Sequence, residues 1–383
     1  MTHAAQPGGA ELSLIELLER IDRNVINPTL IGMAEGPILD RARAADISVF
    51  TLDTPESILR TGRNIFSFSA GPIAPLQKAL SALPAVRDVS KLLKTLKTDI
   101  VYTNSAKAHV IGGIAGKTAG KKVIWHFRDY PAETAVRTFF SVLSHPVADV
   151  VVCNSKFTSS QFEGRRALKV VPNGIPVEAV KPTKAPAAVK AGFGFEPDCL
   201  VAGTAGRLEQ WKGIHTFIEA AAALSSKFPT ARYVVAGAPF YGDAGYPNRL
   251  RNMAREAGVA NRVVFTGHRN DIHDVMNAYD VYVHPSVQPE PFGRGIVEAM
   301  LLKKPVAASR AGGPLEIVEE NKTGKFFAPG NPRELAEAVS GYFGDASEAK
   351  AAGEAGFERA SVLFSADRVA REISEIILDC FKS

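Results

Sequence analysis

The sequence predicts an α/β protein with two doubly wound, Rossmann-like domains of parallel sheet that face a cleft. Short apolar runs rich in Val, Ile and Phe alternate with helical patterns from residue 29 to residue 327, as in successive βαβ units. A region rich in Pro, Ala and Lys at 182–190 interrupts the alternation, and we interpret it as a linker. The length of 383 residues suits two domains of roughly 150 residues each. We therefore place domains at 1–180 and 181–366, with a final helix at 367–383 that crosses back to the first domain.

The first half begins with Gly8 and Gly9, which precede apolar residues at helical spacing over 12–21. A glycine pair that opens a helix is typical of the loop after a strand, but residues 1–6 lack the composition of a strand. We expect the first strand of this domain to be missing, through either a misassigned start codon or a real absence. Five strand-like runs follow, at 29–31, 47–52, 100–102, 122–125 and 150–152.

Polar residues follow several of these runs, among them Asn104, His126, Arg128 and Asn154. Ligands of open α/β sheets bind outside the carboxyl ends of the strands, so these positions are candidates for chemistry. For His126 a role in the core is the alternative, because a histidine after a buried strand is commonly a satisfied core residue.

The second half repeats the pattern with strand-like runs at 200–204, 232–236, 262–266, 281–283, 305–308 and 325–327. Arg207 and Lys212 lie five residues apart in a glycine-flanked turn between the first of these runs and a helix. A guanidinium and an ammonium at this spacing can reach one diphosphate and stabilise it as it departs. An ordinary charged surface loop is the alternative. Gly267 ends a further turn, against whose backbone a base could lie.

The stretch 284–300 combines a strand end, two prolines, two glycines and the carboxylates Glu290 and Glu298. A helix predicted at 296–302 begins after Gly293 and Gly295, and a glycine-flanked helix start attracts phosphate. The two carboxylates can hold hydroxyls at opposite ends of an elongated ligand, which indicates a sugar-nucleotide clamp. The alternative for Glu298 is a carboxylate that only complements the helix dipole.

Composition excludes several classes of protein. The net charge of +5 arises within residues 1–180, which carry 21 basic and 16 acidic residues against 24 and 24 in the remainder. A lysine cluster there favours either a solvated face or weak contact with anionic membrane. We expect no nucleic-acid binding, no bound metal, no signal peptide and no membrane span. The cysteines Cys153, Cys199 and Cys380 are few and widely spaced, which favours a reducing cytoplasm.

These motifs together resemble the retaining glycosyltransferases of GT-B fold known as glycosyltransferase family 4, or glycosyl transferases group 1. The resemblance covers nearly the whole chain, and its most specific part is the spacing from Glu290 to Glu298. The Arg207–Lys212 element and the turns at 172–174, 311–316 and 323–324 also match. Lys303 stands where the family usually has glycine, and Pro176 where it usually has aspartate.

The resemblance implies an acceptor-side N-terminal domain and a nucleotide-sugar-binding C-terminal domain. Arg207 and Lys212 would hold the donor diphosphate, Glu290 the transferred sugar, and Glu298 the ribose. Backbone amides of Phe292, Gly293, Arg294 and Gly295 would meet sugar and phosphate. His126 would contact the sugar, and Gly8 and Gly9 would lie near the phosphates and acceptor.

The predicted function is metal-independent, retaining transfer from a nucleotide-diphosphate sugar to an acceptor hydroxyl in polysaccharide or glycolipid assembly. We expect no cofactor, a UDP- or GDP-sugar donor, a carbohydrate or lipid-linked acceptor, and a cytoplasmic location with the inner face of the membrane as a variant. A sugar-nucleotide epimerase or phosphorylase on the same fold is one alternative. A catalytically silent nucleotide-sugar-binding protein is the other.

Overall fold

The computed structural model describes residues 1–2, 8–52, 74–239 and 243–383. It divides into an N-terminal unit, Met1–Gly174 with Ala366–Ser383, and a C-terminal unit, Ile175–Ser365. Each unit packs helices on parallel sheet, which confirms the predicted α/β class. The units divide after Gly174, whereas the sequence placed the division after residue 180.

The N-terminal unit contains β1 (Thr29–Gly32), β2 (Ser48–Thr51), β3 (Ile100–Thr103), β4 (Lys122–Phe127), β5 (Val150–Cys153) and β6 (Leu168–Val170). β1 pairs with β2, and the other four form a parallel sheet in the order β3-β4-β5-β6. The sequence analysis did not predict β6, whose three residues are too few to show periodicity. The described α-helices of the N-terminal unit are Gly9–Leu18, Pro37–Ala44, Ala74–Thr95, Ala106–Thr118, Thr134–Val147, Lys156–Ser159 and Ala366–Lys382.

Met1 and Thr2 pair with the backbone on both sides as a strand would. The Thr2 amide donates to the Ile31 carbonyl at 3.0 Å, and Thr2 forms a parallel bridge with Gly32. On the other side, the Asn104 amide donates to the Met1 carbonyl at 3.1 Å. The sequence predicted that the first strand of this domain is missing. That prediction was wrong for Met1 and Thr2, whose backbone pairs with β1 on one side and with the end of β3 on the other. Residues 3–7 lie outside the described part of the chain.

The helix Ala366–Lys382 packs in the N-terminal unit. Val369, Ala370 and Ile373 are buried in one apolar cluster with Leu14 and Ile15 of the helix Gly9–Leu18. At about 25 cal/mol per Å² of apolar surface, such burial supplies most of the free energy that holds these helices on the sheet.

The C-terminal unit has one six-stranded parallel sheet of order β12-β11-β10-β7-β8-β9. The strands are β7 (Val201–Ala205), β8 (Arg232–Ala236), β9 (Val263–Gly267), β10 (Val281–His284), β11 (Val306–Ser309) and β12 (Gly324–Phe327). They lie within one or two residues of the predicted runs. The described helices are Pro186–Gly192, Ile214–Lys227, Tyr246–Glu256, Ile272–Asn277, Arg294–Leu301, Pro314–Ile317, Pro332–Gly344 and Ala346–Leu363.

The predicted linker at 182–190 was wrong. Its second half starts the helix Pro186–Gly192, and Lys190 is buried with its ammonium donating to the Cys199 carbonyl at 2.8 Å. The Pro-rich composition misled because proline at the first helical position is favourable. Within the described residues, no helix is both long and apolar enough to span a membrane.

Candidate functional site

The order of the C-terminal sheet reverses at β7, which pairs with β8 on one side and β10 on the other. The crevice beyond the carboxyl ends of two such strands is the usual ligand site of a doubly wound sheet. Arg207 follows β7, and Glu290 follows β10 by a short loop. The topology therefore brings together charged residues that lie 83 positions apart in the sequence.

The Arg207–Lys212 loop lines a narrow crevice at this position. Trp211 orders both cations: the Lys212 ammonium lies 4.3 Å from its ring centroid, and the Arg207 guanidinium 5.9 Å. Arg207 also pairs with Glu209 at 3.2 Å, and Glu209 accepts a hydrogen bond from the Trp211 indole. The loop is thus a set of fixed charges, as the predicted diphosphate site requires, and the crevice lining is Thr204, Ala205, Gly206, Arg207, Lys212, Ile214, His284, Pro285 and Ser286.

Glu290 is the centre of the charged contacts in this crevice. One of its carboxylate oxygens contacts the Lys212 ammonium at 2.6 Å, the Ser286 hydroxyl at 3.2 Å and the His284 Nε2 at 3.4 Å. Burial opposes ionisation of this carboxyl, but the Lys212 ammonium and His284 outweigh it and hold the pKa of Glu290 well below its usual range. Glu290 is therefore a largely buried, ionised acceptor beside a cation.

Two glycines allow the loops of the crevice to approach closely. Gly213 has φ of 68°, and a Cβ there would collide with the Pro285 carbonyl. Gly312 has φ of 72°, and a Cβ there would collide with the Glu290 backbone. The Glu290 carbonyl in turn accepts from the Gly313 amide at 2.7 Å. Only glycine combines a left-handed backbone with such contacts, so these positions fix where Glu290 lies.

Glu298 lies in the second turn of its helix, because the helix begins at Arg294 and not at 296 as predicted. The Arg294 Nε donates to Glu298 at 2.9 Å, an i,i+4 pair. Burial raises the pKa of Tyr282 well above its usual value, and the charges of Glu298 and Glu290 both add to that rise. The two carboxylates thus act on one buried tyrosine, whose hydroxyl donates to the Ala205 carbonyl at 3.3 Å.

The segment Phe292–Gly295 contributes structure as well as backbone. The Phe292 side chain is buried against Phe364, so only its backbone remains for a ligand. Gly293, with φ of 119°, is the N-cap of the helix Arg294–Leu301. A Cβ on Gly295 would collide with the Tyr282 hydroxyl, so this glycine is also required for packing. Gly267 ends β9 with φ of 70° and open space around its Cβ position.

In the N-terminal unit, His126 lies within β4 and not after it, and its side chain is fully buried. Its Nδ1 contacts the Tyr102 hydroxyl and, at 3.2 Å, the Arg128 guanidinium. Burial, and then the Arg128 charge, hold the pKa of His126 well below its usual value, so the ring is neutral. Because a guanidinium can only donate, Nδ1 accepts and the ring proton resides on Nε2. That Nε2 is buried and has no hydrogen-bond partner among the described residues.

Arg128 holds the carboxyl ends of three strands together around His126. Its Nε donates to the Asn104 side chain at 2.8 Å, and its Nη1 donates to the Asn173 side chain. Asn104 and Arg128 were predicted as polar strand ends, whereas Asn173 was noted only within the turn 172–174. Their convergence on one guanidinium depends on the pairing of β3, β4, β5 and β6.

Gly8 and Gly9 have different environments at the start of the helix Gly9–Leu18. A Cβ on Gly8 would lie 2.7 Å from the Glu11 carboxylate, whereas a Cβ on Gly9 would meet nothing within 4 Å. Glu11, at the third helical position, folds back on the N-cap Gly8 as the carboxylate half of a capping box does. Burial raises the pKa of Glu11 to about 7. Sequence reasoning did not single out Glu11, although a carboxylate three residues after a glycine N-cap was its signal.

His284, Ser286, Glu209 and Trp211 were not predicted from the sequence either. All four lie beside residues that it did predict, and their position at strand ends was the available signal. Within the described part of the chain, no three His, Cys, Asp or Glu side chains are grouped to hold a metal ion. Metal independence stays a prediction.

Two parallel-sheet units, with a cluster of charged side chains at the switch point of one of them, are typical of a nucleotide-binding α/β protein. Comparison with known proteins is more specific. Residues 189–359 match the model of glycosyl transferases group 1, and residues 7–179 match that of glycosyltransferase family 4.

Characterised relatives are similar over part of their length. The lipopolysaccharide core biosynthesis mannosyltransferase LpsB of Rhizobium meliloti is 27% identical over 60% of this chain and 65% of its own. The 2-deoxystreptamine glucosyltransferase of Streptomyces kanamyceticus is 34% identical over 51% of this chain and 50% of its own. The chain thus spans about half to two thirds of the length of these relatives.

The structural match extends over the whole chain. The crystal structure of HepE from Anabaena in complex with UDP and glucose superposes with a TM-score of 0.83 and 28% identity, covering 98% of both chains. The two family models and this match agree with the resemblance found from the motifs. The chain belongs to the GT-B glycosyltransferases of the group 1 and family 4 type.

Proposed function

We propose that the protein transfers a sugar from a nucleoside-diphosphate sugar to an acceptor hydroxyl, with retention of anomeric configuration and without a bound metal. The observation that carries the proposal is the contact of 2.6 Å between the Lys212 ammonium and the largely buried Glu290 carboxylate, beside the crevice that Arg207 also lines. Two cations there can form ion pairs with a diphosphate, and a carboxylate beside them can accept hydrogen bonds from the hydroxyls of the attached sugar.

The residues of the C-terminal unit would have the following roles in the transfer. Arg207 and Lys212 neutralise the diphosphate, whose oxygen takes the electron pair of the breaking bond to the anomeric carbon. Glu290 accepts hydrogen bonds from the sugar hydroxyls, and Glu298 from those of the ribose. The acceptor oxygen forms its bond on the same face of the sugar, and its proton passes to the departing diphosphate. The fixed cations supply the electrostatic stabilisation that such a step needs in the absence of a metal.

His126 is proposed to donate its Nε2–H to the transferred sugar. A neutral ring with its proton on an unpartnered, buried nitrogen supports this role. An imidazolium would add charge beside Arg128, so the lowered pKa suits a neutral donor better than a general acid.

The donor and acceptor classes follow from relatives. HepE was crystallised with UDP and glucose, and LpsB is named for lipopolysaccharide core biosynthesis. We propose a UDP-sugar as the first donor to test, with GDP-sugars second, and a glycan or lipid-linked glycan as acceptor.

Ligand-dependent melting tests the donor. A ligand that binds only the folded state raises Tm. When EDTA-treated protein is melted with UDP-, GDP- and ADP-sugars in turn, we expect the sugars of one nucleoside to raise its Tm clearly. No shift with any of them would contradict the proposal, as would a shift that requires added Mg²⁺.

Product analysis separates the alternatives. Incubation with the donor and a glycan acceptor should give a glycoside whose anomeric configuration, read by NMR, equals that of the donor. Conversion of the donor without an acceptor to a second sugar nucleotide would identify an epimerase. Donor binding with no product across the acceptor panel would identify a silent binding protein.

A further inference from the structure

A second cavity lies in the C-terminal unit, separate from the crevice of Arg207 and Lys212. Its volume is about 640 Å³, within the range of roughly 300–1,000 Å³ that is typical of small-molecule sites. We call it the Trp211 pocket. Its lining includes Trp211, His215, Tyr246, Arg249, Asn252 and Gln288.

The aromatic part of the Trp211 pocket is held in place. The Trp211 indole donates to Glu209, and the Trp211 carbonyl accepts from the Val287 amide at 2.9 Å. The Tyr246 hydroxyl and the His215 Nδ1 lie 3.0 Å apart. An aromatic platform fixed in this way loses little conformational entropy when it binds a ligand.

The polar side chains of the Trp211 pocket include a row on one face of a helix. Arg249, Asn252 and Glu256 lie at i, i+3 and i+7 of the helix Tyr246–Glu256, and all three line the pocket. The amides of Gln210 and Gln288 line it as well. Amide groups offer donors and acceptors side by side, which is what vicinal hydroxyls require, because each hydroxyl both donates and accepts.

The charges of the pocket argue against a phosphorylated ligand. The Arg249 guanidinium is paired with the Asp243 carboxylate, and Glu256 adds a negative charge to the lining. A polyphosphate favours adjacent cations, which the crevice supplies in Arg207 and Lys212 beside one indole, whereas the lining of this pocket includes a single arginine that is already paired. A neutral ligand with one apolar face and many hydroxyls fits these groups: a pyranose ring whose C–H face packs on the indole.

We propose that the Trp211 pocket binds one sugar unit of the acceptor or product glycan, as a site distinct from that of the donor. The sugar chemistry follows from the lining, whereas the assignment to the acceptor or product rests on the proposed function. The pocket also adjoins the donor crevice, since Trp211 contacts the Lys212 ammonium.

Intrinsic fluorescence gives a direct measurement of binding. The chain has two tryptophans, and Trp125 is fully buried whereas Trp211 is partly exposed. Acrylamide quenching therefore reports mainly on Trp211. The full chain, saturated with UDP, is first screened on a printed array of bacterial oligosaccharides, and the retained oligosaccharides are then titrated in solution.

The proposal predicts that at least one oligosaccharide protects Trp211 from quenching. Asn252→Ala and Arg249→Ala should weaken that binding about tenfold, the loss of roughly one hydrogen bond. Asn248→Ala and Arg251→Ala are matched controls, since both are exposed residues of the same helix outside the pocket lining. Retention of no oligosaccharide, or equal weakening by pocket and control variants, would overturn the proposal.

The donor assay keeps this test independent of the proposed function. Asn252→Ala should retain the UDP-sugar melting shift of the wild type, and Arg207→Ala should lose that shift while it still binds the oligosaccharide. Loss of both activities in Asn252→Ala would show that the two sites are one, which overturns a distinct pocket. A wild type that binds the oligosaccharide but no sugar nucleotide would contradict the proposed function alone.

Discussion

The two units place polar residues at the carboxyl ends of parallel strands, but they satisfy those residues differently. In the C-terminal unit the Glu290 carboxylate has a cation, a hydroxyl and an imidazole within 3.4 Å, and its charge is compensated. In the N-terminal unit His126 is neutral, with one ring nitrogen engaged and the other buried without a partner in the described chain. The difference teaches that the C-terminal unit compensates the charge of a carboxylate at its strand ends, whereas the N-terminal unit holds a neutral imidazole there through the Arg128 guanidinium.

The largest expected effect comes from removal of fixed charge at the crevice. Arg207→Ala and Glu290→Gln should each lower kcat about 10²–10³-fold, because each removes a preorganised electrostatic contact. Steady-state kinetics with the identified donor measures the effect. Arg310→Ala, a surface arginine paired with Glu320, is the matched control and should leave kcat unchanged. Turnover of Glu290→Gln at the wild-type rate would remove Glu290 from the mechanism.

The next prediction concerns the stability of the protein. It tests whether the Lys212 ammonium compensates the charge of the Glu290 carboxylate. Lys212→Met should destabilise the protein by about 3–5 kcal/mol, because it leaves the Glu290 carboxylate buried beside no ammonium. The double variant Lys212→Met/Glu290→Gln should recover most of that loss. Urea unfolding of the two single variants and the double variant measures the coupling. Additive losses in the double variant would show that the two side chains act independently.

An intermediate effect is expected in the N-terminal unit as pH changes. Glu11 has a folded pKa of about 7 against an ordinary value of 4.5, so the folded state binds more protons between these values. Its contribution to the free energy of unfolding is present below pH 4.5 and is lost as pH rises through 7, on the order of 3 kcal/mol in total.

The comparison of wild type with Glu11→Gln isolates this contribution. We expect the free energy of unfolding of the variant, relative to that of the wild type, to rise between pH 5 and pH 7.5. Urea titrations at several pH values give this difference, in which the titration of all other groups cancels. An unchanged difference across the range would mean that Glu11 ionises at its ordinary pKa.

The smallest effect separates two neighbouring glycines of the N-terminal unit. Gly8→Ala should cost about 1 kcal/mol, because its Cβ displaces the Glu11 carboxylate from the helix N-terminus. Gly9→Ala should change stability by no more than about 0.5 kcal/mol, since the Cβ enters open space. Thermal unfolding of the two variants side by side measures the contrast. Equal losses would indicate that Glu11 does not cap this helix.

Much of the fold was predictable because local patterns carry it. The strands β4, β7 and β10 are largely apolar runs buried on both faces, which is the pattern of a parallel sheet covered by helices. The predictions of secondary structure were wrong where the local sequence is compatible with two different structures. Proline at 186 begins a helix in a region predicted as a linker, and Met1 with Thr2 pair in the sheet despite having no recognisable strand pattern.

The candidate site was predictable in its residue types and less so in its contacts. Arg207, Lys212, Glu290 and Glu298 were identified from spacing and from a family resemblance. The pairing of Glu290 with Lys212, its contacts with His284 and Ser286, and the i,i+4 pair of Glu298 were not, because a sequence does not give distances between residues far apart in the chain.

The sequence by itself determined the alternation of strands and helices, the glycines at turns and the charges after strand ends. All of these are local properties that the backbone and side chains impose within a few residues. The tertiary structure decided which charges meet and which nitrogen stays unpaired. It did so because the order β10-β7-β8 places distant strand ends side by side. Burial and the Arg128 charge keep His126 neutral, whereas the Lys212 ammonium and His284 keep Glu290 ionised against the effect of burial.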